Sequence, residues 1–296
     1  MIEAVGLGKR FGPQTAVDDL SFRCDPGTVT GFLGPNGAGK STTLRMICGL
    51  SSRTTGSATV LGEEYRRIAN PALHVGVMLD ASAQHGGRKG RETLRLCAET
   101  IGADPARIDE MLTLVGLDRT AAKRRVGKYS LGMRQRLGLA QVLIGDPSVL
   151  ILDEPANGLD PQGIIWMREL LRNFAAAGGT VLLSSHLLSE VEAIADRLVL
   201  INKGKLVASG SKAELLPATG TVVRSPDGAA LAAAMAAAGI ATTADEDGLI
   251  ADADPETVGA AAHAGNVVLS ELRPAEGEGL EGLFLSLTSA GEVNDR

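Results

Sequence analysis

Residues 29–42 read VTGFLGPNGAGKST, an uncharged, largely apolar run that passes straight into a glycine-rich loop and then into Lys-Ser-Thr. The run Val29–Leu33 has the length and composition of a buried strand, and Ser41–Gly49 reads as a helix closed by Gly49. The loop between them fits G-x-x-x-x-G-K-[ST] in the strand–loop–helix context that gives that pattern its meaning. Gly34, Gly37 and Gly39 permit backbone angles closed to other residues and let N–H groups approach phosphate oxygens. Asn36, Ala38 and Thr42 complete the loop, whose following helix offers a partly positive N-terminus. Lys40 brings a point charge for the outer phosphates, and the Ser41 hydroxyl suits a hard cation such as Mg²⁺.

Further apolar runs at Val75–Leu79, Val149–Leu152 and Thr180–Leu183 are each followed by polar residues and a helical pattern. Residues 91–146 read as mainly helical, broken at 102–105 and at Gly127, while Leu198–Asn202 and Leu206–Ser209 flank a Lys-Gly hairpin signal. This rhythm predicts a largely parallel sheet covered by helices, which with the phosphate loop makes an α/β P-loop NTPase architecture. Two strand ends carry polar groups. SVLILDEP (148–155) ends in Asp153, placed to hold Mg²⁺ beside the loop, and Glu154, placed to orient or deprotonate an attacking water. LLSSH (182–186) ends in His186 on the face where such sheets bind ligands.

The sequence breaks in composition near residue 217. Residues 216–296 hold 3 Lys/Arg against 13 Asp/Glu, whereas residues 1–215 hold 26 against 22. Such an acidic tail argues against a grip on nucleic acid, which needs clustered cations. The tail reads as strand Thr221–Arg224, helix Pro226–Ala238, strands Ile240–Ala244 and Leu249–Ala251, helix Asp254–Ala264 and strand Val267–Leu272. That is the split β-α-β-β-α-β order of a small α+β domain, with a short helix Leu280–Leu287 to close it. Its carboxylates, such as DED at 245–247, are expected in solvated turns. Cys24, Cys48 and Cys97 are odd in number and unpaired in spacing, as in a reducing cytosol. The N-terminus lacks the apolar core of a signal peptide, and no run of the chain is apolar enough to span a bilayer.

Taken in order, the phosphate loop, YSLGMRQR (129–136), LILDEP, NGLD (157–160) and LLSSH resemble the ATPase subunit of an ABC transporter over roughly residues 2–215. The resemblance implies a helical subdomain at about 80–146, followed by a separate small domain at 220–296. It implies that two ATPase subunits sandwich two ATP molecules head to tail. Ser130 and Gly132, at the head of a helix, would cap the triphosphate held by the partner's loop. Asp160 would lie on the loop that crosses the dimer interface, His186 would sense the γ-phosphate, and Phe11 would stack on adenine. Two departures stand out. The usual LSGGQ is Tyr129-Ser130-Leu131-Gly132-Met133, with a branched side chain where glycine is usual. Asp80 ends the 75–80 strand where a glutamine normally meets Mg²⁺ and water, with Gln84 as the fallback.

An acid at that place, and a short C-terminal extension, resemble the antibiotic-export branch. The expectation is therefore a cytoplasmic ATPase, peripheral on the membrane, that binds Mg-ATP as a dimer. It would drive a separate transmembrane permease exporting a small hydrophobic compound. The permease would dock on residues 80–146 near the loop at 80–87, with the basic run 123–125 and Lys128 as a possible contact. A non-transport relative acting on DNA or ribosomes is the alternative. The single phosphate loop and the lack of sustained heptads weigh against it. A small-molecule kinase would have no use for YSLGMRQR or NGLD.

Overall fold

The computed structural model describes residues 1–81, 83–217, 220–245, 247–275 and 279–284. It begins with a feature that the hydrophobic pattern hides. β1 (Ile2–Phe11) pairs antiparallel with β2 (Gln14–Cys24) and with β4 (Thr55–Val60), giving a three-stranded sheet of order β2-β1-β4. The apolar pattern of residues 2–24 announces no strand. The register slips between Ala4 and Leu7, between Leu7 and Lys9, and between Lys9 and Arg10. Each slip resets the two-residue alternation that would announce a half-buried strand.

Between β2 and β4 lie β3 (Val29–Leu33) and α1 (Lys40–Ile47); β5 (Val75–Met78) follows β4. The helical segment holds α2 (Gly90–Ile101), α3 (Arg107–Leu114), α4 (Arg119–Lys123) and α5 (Leu131–Leu143). It has one more break than the sequence predicts, at Gly116, which takes φ 68°. Then come β6 (Val149–Asp153), α6 (Pro161–Ala176), β7 (Thr180–Ser185), α7 (Leu188–Ile194), β8 (Arg197–Asn202), β9 (Lys205–Ser211) and α8 (Lys212–Leu215).

Among the described residues the central sheet has the order β5-β6-β7-β3-β8-β9, parallel except for the β8–β9 hairpin. β3 and β7 are buried along their whole length, as a strand covered on both faces must be. The core joins the two sheets around α1: Ile2, Leu7, Leu20, Phe32, Leu44, Ile47, Ile151 and Leu182 are all buried within it. Phe22 stacks on Phe32 with ring centroids 5.3 Å apart. Burying a side chain of Phe32's size contributes roughly 1.5–3 kcal/mol. The register decides where the chemistry falls. Leu33 pairs with Ser185, Asp153 with Ser184 and Met78 with Leu152. The segments that begin at Gly34, Leu79, Glu154 and His186 therefore leave the sheet along one edge.

The contacts divide the chain into two compact units, one spanning Met1–Lys212 and one beginning at Ala213. The second holds β10 (Thr221–Arg224), α9 (Gly228–Ala237), β11 (Thr242–Asp245), β12 (Gly248–Ala251), α10 (Pro255–Ala264) and β13 (Glu271–Pro274). Its sheet is antiparallel, of order β11-β12-β10-β13. Val223, Leu231, Met235, Ala251 and Val258 are buried between sheet and helices. The last strand lies later than the expected Val267–Leu272. Val267 and Leu269 pack on the core from irregular chain, Val268 is exposed, and pairing with β10 starts at Glu271 opposite Arg224. Residues 279–284 are helical; the rest of the helix expected to reach Leu287 lies outside the described residues. Two acids cap helices, Asp227 accepting from the Ala230 N–H at 2.9 Å and Asp254 from the Thr257 N–H at 2.9 Å. Asp245 pairs with Arg224 at 3.4 Å.

Candidate active site

At the C-terminal edge of the parallel strands lies a cleft of about 780 Å³. The loop before α1 forms its floor. Gly37 and Gly39 take φ 82° and 104°, and a Cβ on Gly39 would stand 2.6 Å from the Ala16 carbonyl, so only glycine fits there. No side chain caps α1, which leaves its first N–H groups for an anion. Lys40 is buried, with Nζ donating to the Gly34 carbonyl at 2.5 Å and the Pro35 carbonyl at 3.3 Å. Burial lowers its pKa below that of an ordinary lysine, and the nearby charges of Glu154 and Asp153 oppose the shift.

The acids stand at the end of β6, which β7 separates from β3. Asp153 accepts a hydrogen bond from the Ser184 hydroxyl. Glu154 adopts φ 50°, a conformation that costs a non-glycine residue about 1–3 kcal/mol and that gathers at functional sites. Its N–H donates to the Ser184 carbonyl at 3.1 Å. Its carboxylate Oε2 lies 2.7 Å from His186 Nδ1 and 3.4 Å from the His186 N–H.

The cleft is lined by Phe11, Asn36, Gly37, Gly39, Lys40, Ser41, Thr42, Asp80, Asp153 and Glu154 from the set marked in the sequence. Gly34 and Ala38 lie behind it: Gly34 supplies the carbonyl that Lys40 holds, and Ala38 is buried. Phe11 is 53% exposed, and Lys9 Nζ stands over one ring face 4.7 Å from its centre. Ser130, Gly132, Asp160 and His186 do not line the cleft. His186 reaches it through Glu154. Ser130 caps α5, accepting from the Met133 N–H at 3.2 Å, and Asp160 caps α6, accepting from the Gly163 N–H at 2.9 Å. Gly132 is small because a Cβ would stand 2.9 Å from the Gly158 carbonyl. Gln84, the alternative to Asp80, turns away: its Nε2 donates to the Arg134 carbonyl and to Gln141 Oε1, each at 3.0 Å.

Sequence reasoning missed several residues. Lys203 lines the cleft because the Gly204 N–H donates to the Ala38 carbonyl at 3.0 Å. The Lys-Gly pair announced the turn but not its seat on the phosphate loop. Ser184 and Gln135 lie within LLSSH and YSLGMRQR, but spacing does not reveal their partners, which lie at the end of β6.

Comparison with known proteins gives the family and the fold. The family model described as ABC transporter matches residues 17–157, and one of a domain of unknown function matches residues 219–280. The chain is 44% identical over 211 residues to an uncharacterized ABC transporter ATP-binding protein, YhcH, of Bacillus subtilis, covering 70% of this chain and 68% of that one. It is 42% identical to the bacitracin transport ATP-binding protein BcrA of Bacillus licheniformis, with the same coverage. It is 38% identical to the lantibiotic transport ATP-binding protein SrtF of Streptococcus pyogenes, covering 70% of this chain and 89% of that one. A solved ATP-binding subunit of an ABC transporter superposes with a TM-score of 0.67 at 26% identity, over 73% of this chain and 91% of that one. The dimeric ATP-binding cassette MJ0796 with ADP and Pi shares the fold at TM-score 0.66 and 20% identity, over 71% and 98%. The phosphate loop, the paired acids at the end of β6 and these relatives together make the chain a member of the ABC transporter family, an ATP-binding subunit that hydrolyses ATP.

Proposed function

We propose that the cleft holds the triphosphate of ATP, that Glu154 activates the attacking water, and that two copies of the chain close over two nucleotides. The observation that carries this reading is the meeting of Lys40, Asp153 and Glu154 in one cleft, with His186 on the Glu154 carboxylate. Lys40 and the first N–H groups of α1 bind the phosphates, and Phe11 stacks on adenine. Glu154 accepts the water proton at its carboxylate. A neutral His186 that donates from Nδ1 to Glu154 offers only a lone pair at Nε2. Donating from Nε2 to a γ-phosphate while keeping Glu154 takes the doubly protonated ring.

The residues fit Mg²⁺. The Ser41 hydroxyl, Asp153 and Asp80 are hard oxygen donors lining one cleft. Bound there, the ion would draw charge from the phosphate oxygens as the terminal bond breaks. Ser130 and Gly132 stand at the head of α5 and do not line their own chain's cleft. This supports their capping the partner's nucleotide, with Asp160 at the interface between copies.

No helix among the described residues is long and apolar enough to cross a membrane; the family and the transport names of the relatives support a separate permease that carries the cargo. It docks in the groove of about 550 Å³ lined by Gln84, His85, Arg88, Cys97 and Gln141. Gln84 donates to Arg134 of α5, which would relay docking to the capping helix. The basic residues 123–125 and Lys128 are exposed and extend this surface. The names of the relatives support a peptide antibiotic or another small hydrophobic compound as cargo. The chain then works on the cytoplasmic face of the membrane. Purifying it together with its membrane partner tests this. Stimulation of ATP turnover by one class of exported compound is expected; co-purification with ribosomes or DNA instead would overturn it.

A further inference from the structure

Gln135, the last residue but one of the motif at 129–136, is 3% exposed. Its Nε2 donates to the Glu154 carbonyl at 2.9 Å and to the Pro155 carbonyl at 2.9 Å. Two acceptors on one side fix the orientation of the carboxamide, since only the NH₂ end has hydrogens to give. Glu154 is thus gripped on both sides. Its N–H is held by Ser184 of β7 and its C=O by Gln135 of α5, while its backbone sits at φ 50°. A strained backbone keeps such a conformation only where its surroundings over-determine it.

We propose that Gln135 is a positioning residue for Glu154: by tying the two successive carbonyls to α5, it aims the carboxylate at the water. The proposal rests on the reading of Glu154 as the water-activating base. It adds a consequence. Ser130 and Gly132 head the helix that carries Gln135, so the motif that caps the partner's nucleotide is tied to the base serving its own. The link spans less than two helical turns, short enough to move as one piece.

Gln135→Met keeps the length and removes both donors; Gln135→Glu keeps the shape and turns an oxygen towards the two carbonyls. In the full chain, both variants should lower kcat by about 10- to 100-fold, the scale on which a misplaced catalytic group is felt. KM and the affinity for a fluorescent ATP analogue should stay as in the unaltered chain. Adding Gln135→Met to Glu154→Gln should cost little more than Glu154→Gln alone, because both act through one carboxylate. Unchanged kcat in both Gln135 variants, with Glu154→Gln inactive, would overturn this inference alone. So would a loss of nucleotide affinity and of the unfolding midpoint in step with kcat, which marks a merely structural role. Full activity in Glu154→Gln would overturn the reading of the base, and the inference with it.

Discussion

The two units of the chain finish their strands in different ways. In the first, buried strands run out into groups that serve one cleft: Asp153 and Glu154 at the end of β6 and the phosphate loop after β3 line it, and His186 after β7 reaches it through Glu154. In the second, strand and helix ends are occupied locally. Asp227 and Asp254 cap their own helices, and Arg224 pairs with Asp245 and Glu271 on neighbouring strands. Both units have an apolar core, but among the described residues only the first gathers costly features at one point: a buried lysine beside two carboxylates, one of them on a non-glycine residue at positive φ. Natural structures keep such departures where function repays them. The contrast assigns the chemistry to the first unit and leaves the second as a packed module.

Glu154→Gln should bring the largest change, a fall in turnover of about 10²–10⁴-fold with ATP binding kept, read by phosphate release and by binding of a fluorescent analogue. Next in size is Met235→Ala. Met235 is fully buried in the second unit's core, so the change should cost that unit about 2–5 kcal/mol in denaturant unfolding. ATP turnover should stay unaltered; a matching loss of turnover would break the contrast between the units. Lys40→Ala should weaken ATP binding by about 10- to 100-fold, the worth of one charge-assisted contact. Because burial lowers the pKa of Lys40, alkaline titration should loosen ATP at a lower pH than an ordinary lysine would set. The ammonium form binds phosphate and is lost as pH rises through that lowered value. Asp80→Ala should slow turnover more than Gln84→Ala, and the opposite order would move the role to Gln84.

The smallest effect concerns Asp254. Hydrogen bonds from the Thr257 backbone and hydroxyl hold its carboxyl below the usual range. Its contribution to α10 is therefore complete above the ordinary carboxylate range and is lost as pH falls through the depressed value. Amide exchange at Val258 should separate Asp254→Ala from the parent chain at neutral pH and not in strong acid.

Much of this was legible in residue order alone. Val29–Leu33 and Thr221–Arg224 stand where their apolar runs place them, because glycine or polar residues bound each run sharply. The split βαβ order of the second unit was readable for the same reason. The sheet of β1, β2 and β4 was not, since its register slips break the two-residue period. The phosphate loop and the acids after β6 are contiguous motifs. Local spacing leaves out Lys203, Ser184 and Gln135, each brought to the cleft or to Glu154 by pairing or packing with distant chain. Nor does spacing reveal that Glu154 takes a positive φ, which depends on grips from two other elements.

Sedimentation of the Glu154→Gln chain with Mg-ATP, alone and combined with Ser130→Arg, tests the shared site most directly. The account predicts two copies holding two nucleotides, and single copies once Ser130 is replaced. A single copy that binds ATP fully, in a manner untouched by Ser130→Arg, would contradict it.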